Sequence, residues 1–105
     1  MHPINPEVSI VILNLNGRRH LPPLLAHLAL QSVRAFELVF VDNGSADDSV
    51  ALVEQGCAAY RIPLQLIRNR TNHGFAPACN QGLALARAPW VAMLNNDTRP
   101  AANWL

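Results

Sequence analysis

The sequence has 105 residues, which is enough for one domain but not for two. Half of the residues are hydrophobic, so a core can form, and only 14% are charged, which is low for a free-standing domain. The net charge of +1 is not gathered into a basic stripe, which argues against nucleic-acid binding. The two cysteines form no CxxC motif and the four histidines are scattered, so the sequence predicts no zinc site.

The N-terminal residues MHPINPE lack a basic stretch followed by an apolar core, so they do not resemble a signal peptide. The longest apolar run, at residues 8–13, is too short to span a bilayer. We therefore expect no transmembrane segment. We expect a cytoplasmic location, either free or peripheral at the inner face of the membrane.

The first predicted element is a strand over Val8–Leu13, because the run is β-branched and apolar almost throughout, as in a strand covered on both faces. Asn14–Gly17 is a turn-rich break. From Leu21, apolar residues recur at helical spacing and predict a helix. Pro22 and Pro23 fit only its first turn, where a missing N–H group does no harm.

Leu38–Val41 predicts a second buried strand, which Asp42-Asn43-Gly44 ends. Ser45 precedes Asp48 by three residues, a capping-box pattern that predicts a helix to about Gln55, with Gly56 as its stop. A third, shorter strand is expected over Leu64–Ile67.

Residues 75–86 predict a helix with Phe75, Cys79 and Leu83 on one side. Gly82 within it is unfavourable unless a close neighbour requires a glycine there. Trp90–Leu94 predicts a fourth strand, and another helix is expected to begin after Pro100.

Strands that alternate with helices predict an α/β fold with a parallel sheet, right-handed crossovers and helices on both faces. Ligands of such sheets bind at the carboxyl ends of the strands. The four loops at those ends are rich in Asn, Asp, Gly or Ser, and they cover residues 14–17, 42–45, 68–74 and 95–98.

Several nucleotide-binding and hydrolase motifs are absent. Asn14–Gly17 stands where a Rossmann site needs GxGxxG, and the chain has no lysine for a P-loop. There is no GxSxG elbow, which argues against a serine hydrolase.

Two aspartates follow strands at the same edge of the sheet. Asp42 could accept hydrogen bonds from a ribose hydroxyl or a base N–H group, or it could cap the turn at Gly44 and Ser45. Asp97 could hold Mg²⁺ or Mn²⁺ together with phosphate oxygens, or Asp97 or Thr98 could cap the last helix. The residues alone leave both pairs of alternatives open.

Four longer segments follow one another along the chain: VSIVILNLNG (8–17), FELVFVDNGSADDS (36–49), NHGFAPACNQGL (72–83) and VAMLNNDTRP (91–100). In this order and spacing they resemble the family 2 glycosyltransferases, which have a GT-A fold, and within them the rhamnosyltransferase-like enzymes. The resemblance implies a sheet of about four strands in the order 3-2-1-4.

The resemblance also implies roles for residues of the first two loops. Leu15 and Asn16 stand where the family lines its base pocket. Asp42 matches the carboxylate that binds the base or the ribose, and Asn43 and Gly44 complete that turn.

In the later loops, Gly74 and Phe75 match the start of the helix beside the nucleotide, and Asn80 is expected to project towards the ribose or the diphosphate. Asp97 matches the last residue of the DxD-like metal motif. Asn95 stands where the strict motif has its first Asp, which leaves one carboxylate instead of two.

The activity that the resemblance implies is inverting transfer of a hexosyl or rhamnosyl group from a UDP- or dTDP-linked sugar, in polysaccharide or cell-wall synthesis. A divalent cation, Mg²⁺ or Mn²⁺, would neutralise the leaving diphosphate. The family's general base lies beyond Leu105, so no catalytic residue is assigned here, and Asp47 and Asp48 are expected to cap a helix.

We therefore expect residues 1–105 to be one glycosyltransferase domain, truncated at its C-terminus, that supplies the donor-binding half. One alternative is a non-catalytic remnant or a nucleotide-binding module without transferase activity. Another is an unrelated flavodoxin-like domain, which the asparagine-rich loops and the motif order disfavour. We further expect Trp90–Leu94 to be an exposed sheet edge through which copies of the chain self-associate.

Overall fold

The computed structural model describes residues 5–105, in which parallel strands and α-helices alternate along the chain. A single 3-10 turn at Arg18–His20 precedes the first helix. None of the helices in this described part is long and apolar enough to cross a membrane. The elements are β1 (Val8–Asn14), α1 (Leu21–Ala29), β2 (Phe36–Asp42), α2 (Ser49–Tyr60), β3 (Leu64–Arg68), α3 (Phe75–Leu85) and β4 (Trp90–Met93).

The strands form one parallel sheet in the order β3-β2-β1-β4, which confirms the predicted fold class and strand order. The two central strands, β1 and β2, pair in register from Val8 opposite Phe36 to Asn14 opposite Asp42. Every residue of β2 is buried, while β4, at one edge, is mostly exposed. The carboxyl ends of β1 and β2 therefore lie side by side.

Helices cover both faces of the sheet, as expected. Helices α1 and α2 pack on the face formed by Ile10, Ile12, Leu38 and Phe40, where the main hydrophobic core lies. Helix α3 lies on the opposite face, where an added Cβ at Gly82 would come within 2.5 Å of Val11 Cγ1. The close neighbour that would justify a glycine at this position is therefore present.

The predicted start and stop of α2 are wrong. Ser45 does not cap the helix, because its backbone N–H and hydroxyl both donate to Asp42, and α2 begins at Ser49. Gly56 does not end it either. An added Cβ there would come within 2.4 Å of Leu25 Cδ1, so this glycine lets α1 and α2 approach each other. The helix ends instead at Tyr60, and Arg61 caps it in the left-handed conformation, with φ at 58°.

The side of α3 that carries Phe75, Cys79 and Leu83 is not the side that packs most closely on the sheet. Phe75 and Leu83 are 72% and 46% exposed, and the buried residues are Ala78 and Gly82. The helix lies so close to the sheet that only small side chains fit beneath it, and the large ones point away.

The residues after Pro100 form a turn and not the predicted helix. The buried side chain of Gln31 donates to Ala101 O (2.7 Å) and accepts from Leu105 N (3.1 Å). Ser32 N donates to Ala102 O (2.8 Å). Because these bonds to the α1–β2 connection engage the backbone of the last residues, that backbone is held outside helical geometry.

Glu37 is a fully buried carboxylate on the α3 face of β2. It accepts hydrogen bonds from Ser9 Oγ (2.5 Å), Gln65 Nε2 (2.9 Å) and the backbone N–H of Arg87 (2.8 Å), and it forms an ion pair with the Arg87 guanidinium (3.0 Å). Burial alone would raise the pKa of Glu37, but the hydrogen bonds outweigh it and lower the pKa. The carboxylate thus holds the α3–β4 connection against the sheet.

We predict that Glu37→Gln destabilises the chain by about 1–3 kcal/mol at pH 7, because donors that surround the carboxylate lose their acceptor. A folded-state pKa below the unfolded value contributes stability above the unfolded pKa, and this contribution is lost as the pH falls through the folded pKa. The difference between the two proteins should therefore shrink below about pH 4. Urea unfolding followed by circular dichroism measures both effects.

The matched control is Glu54→Gln, the same change at an exposed residue of α2, which should alter stability by less than about 0.5 kcal/mol. Equal urea midpoints for wild type and Glu37→Gln at pH 7 would contradict the role assigned to the buried carboxylate.

Candidate functional site

The carboxyl edge of the sheet carries two adjoining hollows, each of about 330 Å³. They share the residues Leu13, Phe75 and Asn96. We call one the asparagine hollow; it is also lined by Asn14, Leu15, Asn43, Asn72 and Gly74. We call the other the aspartate hollow; it is also lined by Met93, Leu94, Asn95 and Asp97.

Asp42 lies behind the asparagine hollow and is 3% exposed. Its Oδ1 accepts hydrogen bonds from Asn14 Nδ2 (3.0 Å) and Ser45 Oγ (2.6 Å), and its Oδ2 accepts one from Ser45 N (2.9 Å). The aspartate therefore caps the turn that follows β2, which is the local alternative raised by the sequence. Contact with a base or a ribose stays a prediction, for which Oδ2 retains acceptor capacity.

Asn43 ties the loop after β3 to the end of β2. Its Oδ1 accepts from Asn69 Nδ2 (3.0 Å) and His73 N (3.3 Å), and its Nδ2 donates to Gly74 O (3.3 Å). Asn69 in turn exchanges two hydrogen bonds with Gln81 of α3, at 2.8 and 3.0 Å. One wall of the asparagine hollow is thus held by a continuous set of side-chain amides.

Gly44 and Gly74 both have positive φ, at 91° and 84°. Gly44 is also crowded, because an added Cβ would lie 3.1 Å from Arg70 O and from Thr71. Gly74, with ψ at 176°, has a conformation that is nearly confined to glycine. Both residues belong to the turns that bring the loops of β2 and β3 together at this edge.

The loop after β1 contributes two different side chains. Leu15 is 46% exposed and lines the asparagine hollow, where the exposed Phe75 faces the same space. Asn16 is turned away from it: its backbone N–H donates to Ser45 Oγ (2.9 Å), and its Oδ1 accepts from Ala46 N (2.7 Å). Asn16 therefore braces the loop after β2 and does not line either hollow.

Asn95 and Asp97 are exposed and line the aspartate hollow. Within residues 5–105, no cluster of three or more His, Cys, Asp or Glu side chains could hold a metal ion. The Asp97 carboxylate and the Asn95 amide oxygen are a small set of hard donors, which fits a cation that also takes phosphate and water oxygens. Thr98 Oγ1 donates to Asn95 O (2.7 Å) and caps this loop itself, since no helix follows it.

Two residues of this edge were not singled out from the sequence. Asn14 is 2% exposed and bonded to both Asp42 and Asn96, and Asn96 lines both hollows. Their position at strand ends was the available signal, but the contact needs the register of the sheet. Asn80, which was predicted to point towards the nucleotide, is exposed on α3 and lines neither hollow.

Comparison with known proteins gives consistent matches. Residues 9–105 match the family model described as Glycosyl transferase family 2. An uncharacterised glycosyltransferase of Haemophilus influenzae is 34% identical over 90 residues, which are 86% of this chain and 29% of the relative. A PGL/p-HBAD biosynthesis glycosyltransferase of Mycobacterium tuberculosis is 37% identical over 93 residues, which are 88% of this chain and 36% of the relative.

Solved structures agree on the fold. S. aureus TarS (1–349) in complex with UDP superimposes with a TM-score of 0.85 at 25% identity, over 92% of this chain and 29% of that one. The mannosyltransferase PcManGT from Pyrobaculum calidifontis superimposes with a TM-score of 0.86 at 24% identity, over 93% of this chain and 30% of that one. This chain therefore spans about a third of the length of the proteins it matches.

We predict that Asn43→Ala loosens the loop at residues 69–74 and destabilises the chain by about 1–3 kcal/mol, because its three hydrogen bonds are lost together. Hydrogen exchange read by mass spectrometry should accelerate in this loop more than elsewhere. The exposed Asn103→Ala is the matched control. Exchange in the loop that is as slow as in wild type would contradict the bracing role of Asn43.

Proposed function

The chain belongs to glycosyltransferase family 2, and on that premise we propose that it forms the donor-binding part of an enzyme that transfers a sugar from a nucleoside diphosphate to an acceptor. The supporting observation is the pair of adjoining hollows at the carboxyl edge of the sheet, one lined by amides and apolar side chains and the other by Asp97. A nucleotide sugar has matching parts, a flat base with a ribose and a charged diphosphate.

The asparagine hollow is proposed to hold the base and the ribose. Leu15 and Phe75 offer exposed apolar surface to the faces of a base, a contact that releases water from both. Asp42 is proposed to accept a hydrogen bond from the base or the ribose through Oδ2, while Asn43, Gly44 and Gly74 shape the loops around it. The solved structures of TarS contain UDP and UDP-GlcNAc, which supports a UDP- or dTDP-linked donor for this chain.

The aspartate hollow is proposed to hold the diphosphate, with Asp97 and Asn95 as the residues that would bind Mg²⁺ or Mn²⁺. When bound, such a cation neutralises the charge that develops on the leaving diphosphate. Asp97 is exposed beside this hollow, so its carboxylate reaches a ligand without unfolding of the loop. With one carboxylate instead of two, we expect weaker metal binding than a full DxD motif would give.

The general base is not assigned to a residue of this chain. Asp47 accepts hydrogen bonds from Ser49 and from Arg18 N, and Asp48 forms an ion pair with Arg18 (2.9 Å). Burial would raise the pKa of Asp47, but these bonds and the Arg18 charge lower it, which makes it a poorer base. The described residues therefore support donor binding more directly than the transfer step.

The finer assignments are inverting transfer of a hexosyl or rhamnosyl unit and a role in polysaccharide or cell-wall synthesis, which the family resemblance implies. We further propose a cytoplasmic location, either free or peripheral at the inner face of the membrane. The second candidate is nucleotide binding without transfer, which the single carboxylate of the metal loop favours.

Titration calorimetry with UDP and dTDP, with and without Mn²⁺, tests the proposal. We predict that Asp97→Asn removes most of the gain in UDP affinity that Mn²⁺ provides. UDP affinity in the presence of Mn²⁺ should fall by roughly tenfold or more, and metal-free binding should stay unchanged. Asp42→Ala should abolish binding under both conditions. Glu54→Gln, a change outside the site, should behave as wild type.

Three results would distinguish the alternatives. If wild type binds neither nucleotide, the donor-binding proposal is wrong. If Asp42→Ala removes a binding that Mn²⁺ does not enhance, the base pocket is supported and Asp97 is not a ligand. If both variants lower affinity as expected, the donor-binding proposal and the metal role of Asp97 are both supported.

The exposed strand β4 is proposed to mediate self-association. Trp90, Val91 and Met93 are 73%, 41% and 45% exposed, and an apolar edge strand offers unpaired backbone groups to another chain. We predict that sedimentation velocity at micromolar concentration detects dimers or larger species, and that Val91→Lys reduces them.

The matched control for this prediction is Leu30→Lys, which adds the same charge at an exposed leucine outside β4. A monomer in the wild-type sample, or an equal effect of both substitutions, would contradict pairing through β4.

A further inference from the structure

A line of three side chains crosses the carboxyl edge from the end of β2 to the loop after β4. Asn14 Nδ2 donates to Asp42 Oδ1 (3.0 Å), and Asn14 Oδ1 accepts from Asn96 Nδ2 (2.8 Å). Asn14 is 2% exposed and Asp42 is 3% exposed, so water has little access to these bonds. We call this line, Asp42–Asn14–Asn96, the amide relay.

The relay has a direction, and Asp42 sets it. An ionised carboxylate only accepts hydrogen bonds, so Asn14 must turn its NH₂ group towards Asp42. A carboxamide that is turned over would place its oxygen against the carboxylate. The Asn14 oxygen therefore faces Asn96, which must in turn present its own NH₂ group to it.

The orientation of Asn14 fixes which end of the Asn96 side chain is bonded to it. With Nδ2 bonded to Asn14, the side-chain oxygen of Asn96 lies on the other side of the amide. Within residues 5–105 that oxygen accepts no hydrogen bond, and Asn96 lines both hollows. The site thus contains an oriented acceptor on a residue that lines both the asparagine hollow and the aspartate hollow.

Gly17 protects the contact at the centre of the relay. An added Cβ at this position would lie 2.3 Å from Asn96 Nδ2 and 2.4 Å from Asn14 Oδ1, too close for either atom to remain in place. The backbone of Gly17, with φ at −98° and ψ at 27°, is accessible to alanine. The requirement for glycine is therefore steric, and it comes from the Asn14–Asn96 hydrogen bond.

We propose that Asn14 is a positioning residue for the donor site: it transmits the polarity of the Asp42 carboxylate to Asn96, so that the Asn96 oxygen accepts a hydrogen bond from the bound nucleotide sugar. The orientation of Asn96 stands on the hydrogen bonds alone. The ligand of the oxygen rests on the proposed function, so the two parts are tested separately.

The orientation is tested first on the wild-type chain. The NH₂ protons of Asn96 must lie near the α-protons of Gly17, and nuclear Overhauser effects between them are expected in the NMR spectrum. If Asn96 were turned over, its oxygen would lie there, and these effects would be absent. Their absence would overturn the relay.

The direction is tested by a double-mutant cycle. In Asn96→Asp, carboxylates flank Asn14 on both sides, and its single NH₂ group can serve only one of them, so the unfolding equilibrium constant should rise by roughly tenfold. Adding Asp42→Asn lets Asn14 turn over, donate to the new carboxylate and accept from the new amide. The unfolding equilibrium constant of the double variant should therefore be at least about threefold lower than the product of the two single effects predicts.

Two controls distinguish the relay from simple charge repulsion. Asn103→Asp makes the same chemical change at an exposed residue, and it should be additive with Asp42→Asn. Repeating the cycle in an Asn14→Ala background should abolish the coupling. Coupling that persists without the Asn14 side chain would overturn the proposal, because it would not require a relay.

The link to the ligand is tested by UDP titration of Gly17→Ala, which displaces Asn96 from Asn14. UDP affinity should fall by roughly tenfold, and the same substitution in the Asn14→Ala background should produce no further loss. Equal losses in both backgrounds would overturn the positioning role. If wild type does not bind UDP, the proposed function fails, while the NMR and unfolding experiments still decide the orientation of Asn96.

Discussion

The in-register parallel pairing of β1 with β2 is the constraint on which the rest of the structure depends. Both strands are largely buried on their two faces, and seven consecutive pairs join them, from Val8 and Phe36 to Asn14 and Asp42. A shift of one residue would exchange the faces of a strand and move Glu37 from its hydrogen-bond partners into the α1–α2 core. Because the register is set by this burial, Asn14 and Asp42 meet at the edge where the loops converge.

The site is built from neutral amides more than from charges. Asparagine and glutamine side chains each donate and accept, so they connect three loops without bringing like charges together. Asp42 is the buried charge among them, and its acceptor-only character orders the neighbouring amides. Within residues 5–105, this arrangement leaves Asp97 as the one carboxylate that lines either hollow, which suits a site that is proposed to receive a diphosphate.

Sequence reasoning located most of the fold but misjudged the bounds of α2 and the role of Gly56. The strands were predicted to within two residues at each end, because buried apolar runs have few alternatives. Gly56 was interpreted as a helix stop, yet it permits the close approach of Leu25, whereas Gly82 has the close neighbour, Val11, that the sequence analysis required for a glycine there. The apolar pattern of α3 did not identify its buried side for a similar reason: the distance between a helix and a sheet is a property of the packed structure, and no local pattern encodes it.

By itself, the sequence determined the alternation of strands and helices, the four polar loops at strand ends and, through its motifs, membership in glycosyltransferase family 2. The resemblance of those motifs also implied that Leu15, Asn43, Phe75 and Asp97 are donor-site residues, and each of the four lines at least one of the two hollows. Only the tertiary structure decided that Asp42 is buried behind the site, that Asn16 and Asn80 line neither hollow, and that Asn14 and Asn96 are bonded. The reason is physical, because these outcomes depend on which side-chain atoms meet across neighbouring strands. Asn14 is 28 residues from Asp42 and 82 residues from Asn96 along the chain, and such contacts are fixed by register and packing.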